Sequence, residues 1–488
     1  MNIDSHFEYP FTNQPRIPAL PGATSANGRG EGWIASRFSI RLAAFFVAWC
    51  ALARMAPGAE KPGVAKRARE RDELVTLEQA YDRALATDQT IRIAYYEVRK
   101  AKLLPWSALT RLGPQINANS NYLRSQEFTR VPTVGADSTS FLRTGSGTAG
   151  ISFQQPLIDL TVFPAYRLGR LTAAAARLEH QYTVRETLFG VAAAYYEVLK
   201  EASLVNVNHE SLRLASEQLS LAQKRANVGE VTRVDVLRAE VTVETARRTV
   251  VESENSLEAD RNTLRNILNL QPDAPLRVVD PPDYPTTLPP FEGLLSRAYA
   301  HREDYRVKII AIDQDTERRN TVIAEYGPKL VAEWDGSLNH TSGTSSESDH
   351  YWQATVTVQL PILNGGQREI DLRTANEQIE ETKLEREKTA KSVESDVKTA
   401  WLAVRTAEQD LKALHAQVVA AEQAYHDSEI QYRAGTATST DLLAALNDLN
   451  TARIDLTTET YDYQVALRNL EEVAGVFQEP RVQKVKVR

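Results

Sequence analysis

Trp352-Gln353-Ala354-Thr355-Val356-Thr357-Val358-Gln359-Leu360 alternates without a fault. Trp352, Ala354, Val356, Val358 and Leu360 share one face, and Gln353, Thr355, Thr357 and Gln359 share the other. A period of two predicts a strand with one apolar and one polar side. Three more segments carry the same pattern, so strands are expected over about 114–124, 148–156, 329–338 and 351–360. The polar segments Ser125–Gly147 and Asn339–Asp349 are expected to join each pair. Apolar-out, polar-in strands of about ten residues suit a transmembrane β-barrel. A half-buried sheet in a soluble domain gives the same alternation, so the pattern alone leaves both open. Four strands cannot close a barrel, because single-chain membrane barrels begin at about eight. An open edge in lipid costs several kcal/mol for each unpaired backbone group. If these strands span a membrane, several chains must combine.

Beyond Leu360 the character changes. No proline occurs from Ile362 to Glu479, or earlier from Ala165 to Gln271. Within the earlier stretch the glycines are Gly169, Gly190 and Gly229; between Gln367 and Ala474 there is Gly435 alone. Helix breakers are excluded over long distances, and the good helix formers Ala, Leu, Glu, Gln, Lys and Arg dominate. Each stretch predicts a helical hairpin, over about 160–270 with its tip near 229 and over about 367–474 with its tip near 435. The arm Leu160–Ala226 would be roughly 100 Å long at 1.5 Å per residue. Helices of that length need partners throughout, as in a coiled coil or a helical barrel.

The two hairpins are copies of one unit. Val191, Ala194, Gly229, Asp235, Leu237 and Ala239 recur as Val397, Ala400, Gly435, Asp441, Leu443 and Ala445, and Thr245-Ala246-Arg247 recurs as Thr451-Ala452-Arg453. The expected organisation is a first repeat over 60–271, a Pro-rich surface linker over 272–290, a second repeat over 291–475 and a tail over 476–488. The expected fold class is mainly α, a duplicated helix–strand–strand–helical-hairpin repeat, with a membrane β-barrel part if the strand pairs span a membrane. Residues 1–59 are expected to be a disordered leader plus signal peptide. Arg37 and Arg41 precede the apolar run Leu42–Ala53, which is too short to span a bilayer. Cleavage after Ala53 or after Gly58 fits, and Cys50 within the run raises lipidation as an alternative.

Composition sets outer limits. Mean hydropathy of −0.38 excludes a multi-span helical membrane protein. With 57 Lys+Arg against 64 Asp+Glu the chain is acidic, which argues against a nucleic-acid partner. The single cysteine, Cys50, rules out an internal disulfide or a thiolate cluster. The eight histidines show no metal-ligand spacing, and there is no Gly-rich phosphate loop. No enzyme site, cofactor or metal is expected.

The order signal, helix, strand pair, long hairpin, Pro-rich linker, and then the same again resembles the TolC-type outer-membrane efflux channels, the outer membrane factors. The resemblance covers about 73–475. It rests on Thr76-Leu77-Glu78-Gln79-Ala80, on Pro361-Ile362-Leu363-Asn364-Gly365-Gly366, and on the tips Arg225-Ala226-Asn227-Val228-Gly229 with Asp235 and Tyr432-Arg433-Ala434-Gly435 with Asp441. It implies a homotrimer in which a 12-stranded β-barrel in outer-membrane lipid continues into a long α-helical barrel in the periplasm. It also implies a periplasmic adaptor (membrane fusion protein) and an inner-membrane transporter as partners, in a tripartite efflux or type I secretion system. A periplasmic coiled-coil adaptor or scaffold is the competing reading. Adaptors, however, carry one hairpin between β-domains, not two between strand pairs.

The tips are the candidate functional site. Gly229 and Gly435 supply the positive φ needed to reverse between antiparallel helices. Asp235 and Asp441 stand at the start of each returning helix, where a carboxylate caps free N–H groups. Three copies of Asp441 would also make an acidic ring at a pore. The resemblance implies a gate of Asp441, Asp235 and Tyr432, and adaptor contacts at Arg225, Gly229, Arg433 and Gly435. Arg225 also reads as a solvated helix charge. Ala437 stands where the family has an arginine that latches to the Asp235 position, so Arg433 or Arg233 would have to substitute.

Overall fold

The computed structural model describes residues 73–133, 136–281, 288–342, 347–477 and 481, all within one unit that begins at Glu70. The expected leader, signal peptide and Cys50 lie outside the described residues. The first repeat runs β1 (Glu73–Val75), α1 (Leu77–Thr87), α2 (Gln89–Ala101), α3 (Leu104–Leu109), β2 (Gln115–Thr133), β3 (Ala136–Ile158), α4 (Val162–Asn227) and α5 (Arg233–Ile267). After β4 (Leu276–Val278) the second repeat runs α6 (Phe291–His301), α7 (Glu303–Ala324), β5 (Lys329–Ser342), β6 (Glu347–Gln359), α8 (Gln367–Arg433) and α9 (Ser439–Val473).

Four long strands form one antiparallel sheet in the order β2-β3-β5-β6, so both repeats contribute to a single surface. Directly opposed residues of an antiparallel pair point to the same face. Ile116 faces Phe153, Phe153 faces Trp334, and Trp334 faces Ala354. One residue along, Asn117, Ser152, Asp335 and Gln353 line up in the same way. The sheet therefore has one apolar and one polar side across all four strands. Trp352, Val356 and Val358 of the apolar side are 67–69% exposed in the single chain.

The strands outrun the expected segments. The ladder β2–β3 continues to the pair Thr133–Ala136, and β5–β6 to the pair Thr341–Glu347. The stretches read as polar connectors are thus largely strand. Backbone pairing does not require apolar alternation. The alternation marks the part of the ladder with one apolar face, not its ends.

α4 and α8 are unbroken for 66 and 67 residues. Their buried positions follow helical spacing. Val184, Leu188, Val191, Tyr195 and Val198 of α4 pack with Leu77, Ala80, Tyr81 and Ala84 of α1 and with Leu257 and Leu264 of α5. Val393, Val397, Ala400 and Val404 of α8 pack in the corresponding way with Leu294 and Ala298 of α6 and with Leu467 and Leu470 of α9. The duplicated pair Val191 and Val397 is fully buried in both copies.

One reading of the sequence is refined here. The Pro-rich segment is not simply a surface linker, because β4 pairs in parallel with β1 and buries Ala274 and Leu276. Leu276–Val278 contains no proline, so its N–H groups remain free to pair. Tyr195 fixes this junction. Its Oη lies 2.9 Å from the Val75 carbonyl and 2.6 Å from the Val279 carbonyl, and it accepts the Val279 N–H at 3.0 Å. The start of the tail is packed on the core. Phe477 is fully buried, edge-on to Tyr81 and Phe189, and Arg481 stacks on Tyr81.

The candidate functional site at the hairpin tips

Both hairpins turn in the same way. α4 ends at Asn227 and α8 at Arg433, and the following glycines adopt left-handed φ, +83° at Gly229 and +81° at Gly435. The Glu230 N–H then reaches the Arg225 carbonyl at 3.0 Å, and the Thr436 N–H reaches the Gln431 carbonyl at 2.9 Å. These bonds satisfy carbonyls left open at the helix ends.

The returning helices start on capping boxes. Thr232 is the N-cap of α5; its N–H and hydroxyl donate to Asp235 Oδ2 at 3.0 and 2.7 Å, and the Asp235 N–H donates back at 3.3 Å. Thr438 and Asp441 repeat this at α9, with distances of 3.0, 2.7 and 3.2 Å. The threonine hydroxyl first, and backbone N–H bonding with it, hold both carboxyls below their ordinary pKa. Both acids are charged at neutral pH.

Tyr432 is buried, inside an apolar cluster of Leu214 and Ala215 of α4, Val243 of α5, and Leu442, Leu446 and Leu449 of α9. Burial raises its pKa; the Arg225 charge opposes the rise and the Asp235 charge adds to it. Arg225 is not a solvated helix charge, because its side chain is only 13% exposed. Its guanidinium lies 4.7 Å from the Tyr432 ring centroid, donates through Nη1 to the Tyr432 carbonyl, and donates through Nε to Glu230 at 3.0 Å. The structure thus brings Arg225, Tyr432 and Gly435 together within one chain. Arg433 turns aside and pairs with Glu429 at 2.6 Å. Asp235 is bonded to Thr232 and senses Arg238 as its nearby cation, not Arg433.

Some of this the sequence reading missed. Arg238 donates to Thr440 at 3.0 Å, and Gln218 donates to Tyr425 at 2.8 Å, both between the hairpins. The capping pairs were legible, since Thr-x-x-Asp precedes each returning helix. The cross-hairpin bonds had no sequence signal, because their partners lie about two hundred residues apart.

The model of the outer membrane efflux protein family matches residues 80–270 and 294–476, both repeats. The chain belongs to this family. It is 26% identical over 349 residues to the outer membrane efflux protein BepC of Brucella suis, covering 68% of this chain and 72% of BepC. It is 25% identical over 347 residues to the outer membrane protein TolC of Vibrio cholerae, covering 69% and 78%. The crystal structure of Vibrio cholerae VceC shares the fold, with a TM-score of 0.65 at 18% identity over 82% of this chain and 96% of VceC. As a member of the family, the chain is an outer-membrane channel of a tripartite efflux or secretion system. Its partners in that system are an inner-membrane transporter and a periplasmic adaptor. It is a duct, not an enzyme, and the family match in both repeats sets aside the reading as an adaptor or scaffold.

Proposed function

We propose that three copies of the chain close one 12-stranded barrel in outer-membrane lipid and extend it into a periplasmic helical tunnel. The observation that carries this reading is the sheet β2-β3-β5-β6, apolar on one side, polar on the other, with β2 and β6 as open edges. Such an edge is stable in hydrocarbon only when paired, and three sheets joined edge to edge leave none. The repeats are then 60–271 and 291–475, joined by the Pro-rich segment 272–290, with a cleaved leader over 1–59 and a tail over 476–488. The tunnel narrows at its tips, where three copies of Asp441 form an acidic ring and Asp235 and Tyr432 complete the gate. The turns at Arg225, Gly229, Arg433 and Gly435 face the adaptor. Both capping bonds of Asp441 go to Oδ2, so capping the helix and lining a pore are compatible roles.

Outer-membrane fractions run on an unheated gel should show a heat-modifiable trimer, and recovery as a soluble monomer would remove the reading. In planar bilayers Asp441→Ala should lower cation selectivity; unchanged selectivity would remove the acidic gate.

A further inference from the structure

The apolar side of the sheet changes character along its strands. It is apolar from the Leu330–Val358 pair to the Leu338–His350 pair, with Val358, Trp352 and Leu338 all more than half exposed. That run is roughly 26 Å of strand at about 3.3 Å per residue, comparable to the outward apolar band of about 25 Å in outer-membrane barrels. The next rows differ. Tyr122, Gly147, His340 and Ser348 stand side by side, followed by Arg124, Gly145 and Ser342. Tyr122, Arg124, His340 and His350 are exposed. Beyond the Gly145–Ser342 pair, where β3 stops pairing with β5, the β2–β3 ladder continues. Its register puts Arg143 opposite Gln126 and Arg130 opposite Thr139, at positions of this same side.

Charge is sorted by side. Glu127, Glu333, Asp335, Glu347 and Asp349 hold register positions on the polar side. Among the described pairs from Leu330–Val358 to Arg130–Thr139, the apolar side holds no carboxylate; Asp137, beside the hairpin turn, is the first. A rim that is merely hydrated mixes both signs. An apolar band, then an aromatic, then arginines free of acids on their own side matches an amphiphile with an anionic head group. The strands join the helices at Gln115, Ile158, Lys329 and Gln359, so the arginine rows lie at the end remote from them. With the helices in the periplasm, that end meets the outer leaflet. We propose, on the barrel reading above, that this rim binds the phosphorylated head group of an outer-leaflet glycolipid, with Arg124 and Arg143 as its phosphate ligands. A guanidinium fork grips phosphate bidentately, and the acyl chains of the same lipid would cover Leu338, Trp352 and Val356.

The test uses the delipidated full-length trimer in detergent, with bound lipid counted by native mass spectrometry. It is titrated with bis-phosphorylated lipid A, with lipid A stripped of both phosphates, and with phosphatidylglycerol. Each charge-assisted pair lost weakens binding roughly tenfold. Wild-type trimer should bind phosphorylated lipid A at least about tenfold more tightly than either other lipid. Arg124→Gln combined with Arg143→Gln should remove that preference while the trimer stays heat-modifiable. Arg124→Lys, which keeps the charge without the fork, should fall between. Lys412→Gln, which removes an exposed cation of α8, should bind as wild type. Absent binding, or equal binding of the three lipids by the wild-type trimer, would overturn the head-group site and leave the barrel standing; that arm needs no variant to fold. Wild-type preference in the assembled double variant would overturn it as well. A wild-type chain that forms no trimer would remove barrel and site together.

Discussion

At the scale of single residues, Asp441 and Asp235 act first on their own helices. Each carboxyl is held below its ordinary pKa by a threonine hydroxyl and by backbone N–H bonding. A carboxylate depressed in the folded state stabilises it above the unfolded pKa, and that contribution is lost as pH falls through the lower folded value. Amide protection in the first turn of α9 should therefore stay level from neutral to mildly acidic pH and drop below the ordinary carboxylate range. Asp441→Asn should flatten that profile, as hydrogen exchange would show. Removing the hydroxyl partner tests the cap itself. Thr232→Ala should cost about 1 kcal/mol, seen as faster exchange at the start of α5. The positions Gly229, Gly435, Asp235 and Asp441 were legible because backbone demands leave residue-type signatures. The role of Arg225 was not, because an arginine near a helix end looks the same whether it meets water or a tyrosine in another hairpin.

At the scale of elements, the small parallel pair β1–β4 is the least expected feature. Three residues on each side would not pair stably alone. They are held because Leu276 and Val75 join the core around Tyr195, whose hydroxyl bonds Val75 of β1 and Val279 just after β4. Burial pushes that hydroxyl up to about 12, so it stays protonated and able to donate. Tyr195→Phe leaves the Val279 N–H without its acceptor. It should cost about 1–3 kcal/mol, measured by thermal unfolding, with earlier proteolysis in 272–290. The sequence marked this stretch by its prolines and so suggested a linker. The pairing lies in the three proline-free residues between them, and a run that short carries no periodicity. The long helices were the opposite case. A proline-free arm of more than sixty residues has few other solutions, and α4 and α8 are continuous.

At the scale of the whole molecule, the two faces of the sheet should respond differently to charge. Val356 stands on the apolar side and Thr355 on the polar side. In the proposed barrel Val356→Arg puts a cation into hydrocarbon, at about 2–4 kcal/mol per chain near the bilayer midplane, and should reduce heat-modifiable oligomer in outer-membrane fractions. Thr355→Arg should assemble normally and instead shift ion selectivity toward anions. Equal loss in both would contradict the assignment of faces. The sequence by itself determined the periods, the helix lengths, the turns and the duplication, because each is a local demand of backbone geometry repeated along the chain. Only the tertiary structure decided that the strand pairs of both repeats merge into one sheet with matched faces, that the Pro-rich segment docks on the core, and that Arg225 closes on Tyr432. These depend on which distant surfaces bury one another, and burial between segments two hundred residues apart leaves no spacing to read.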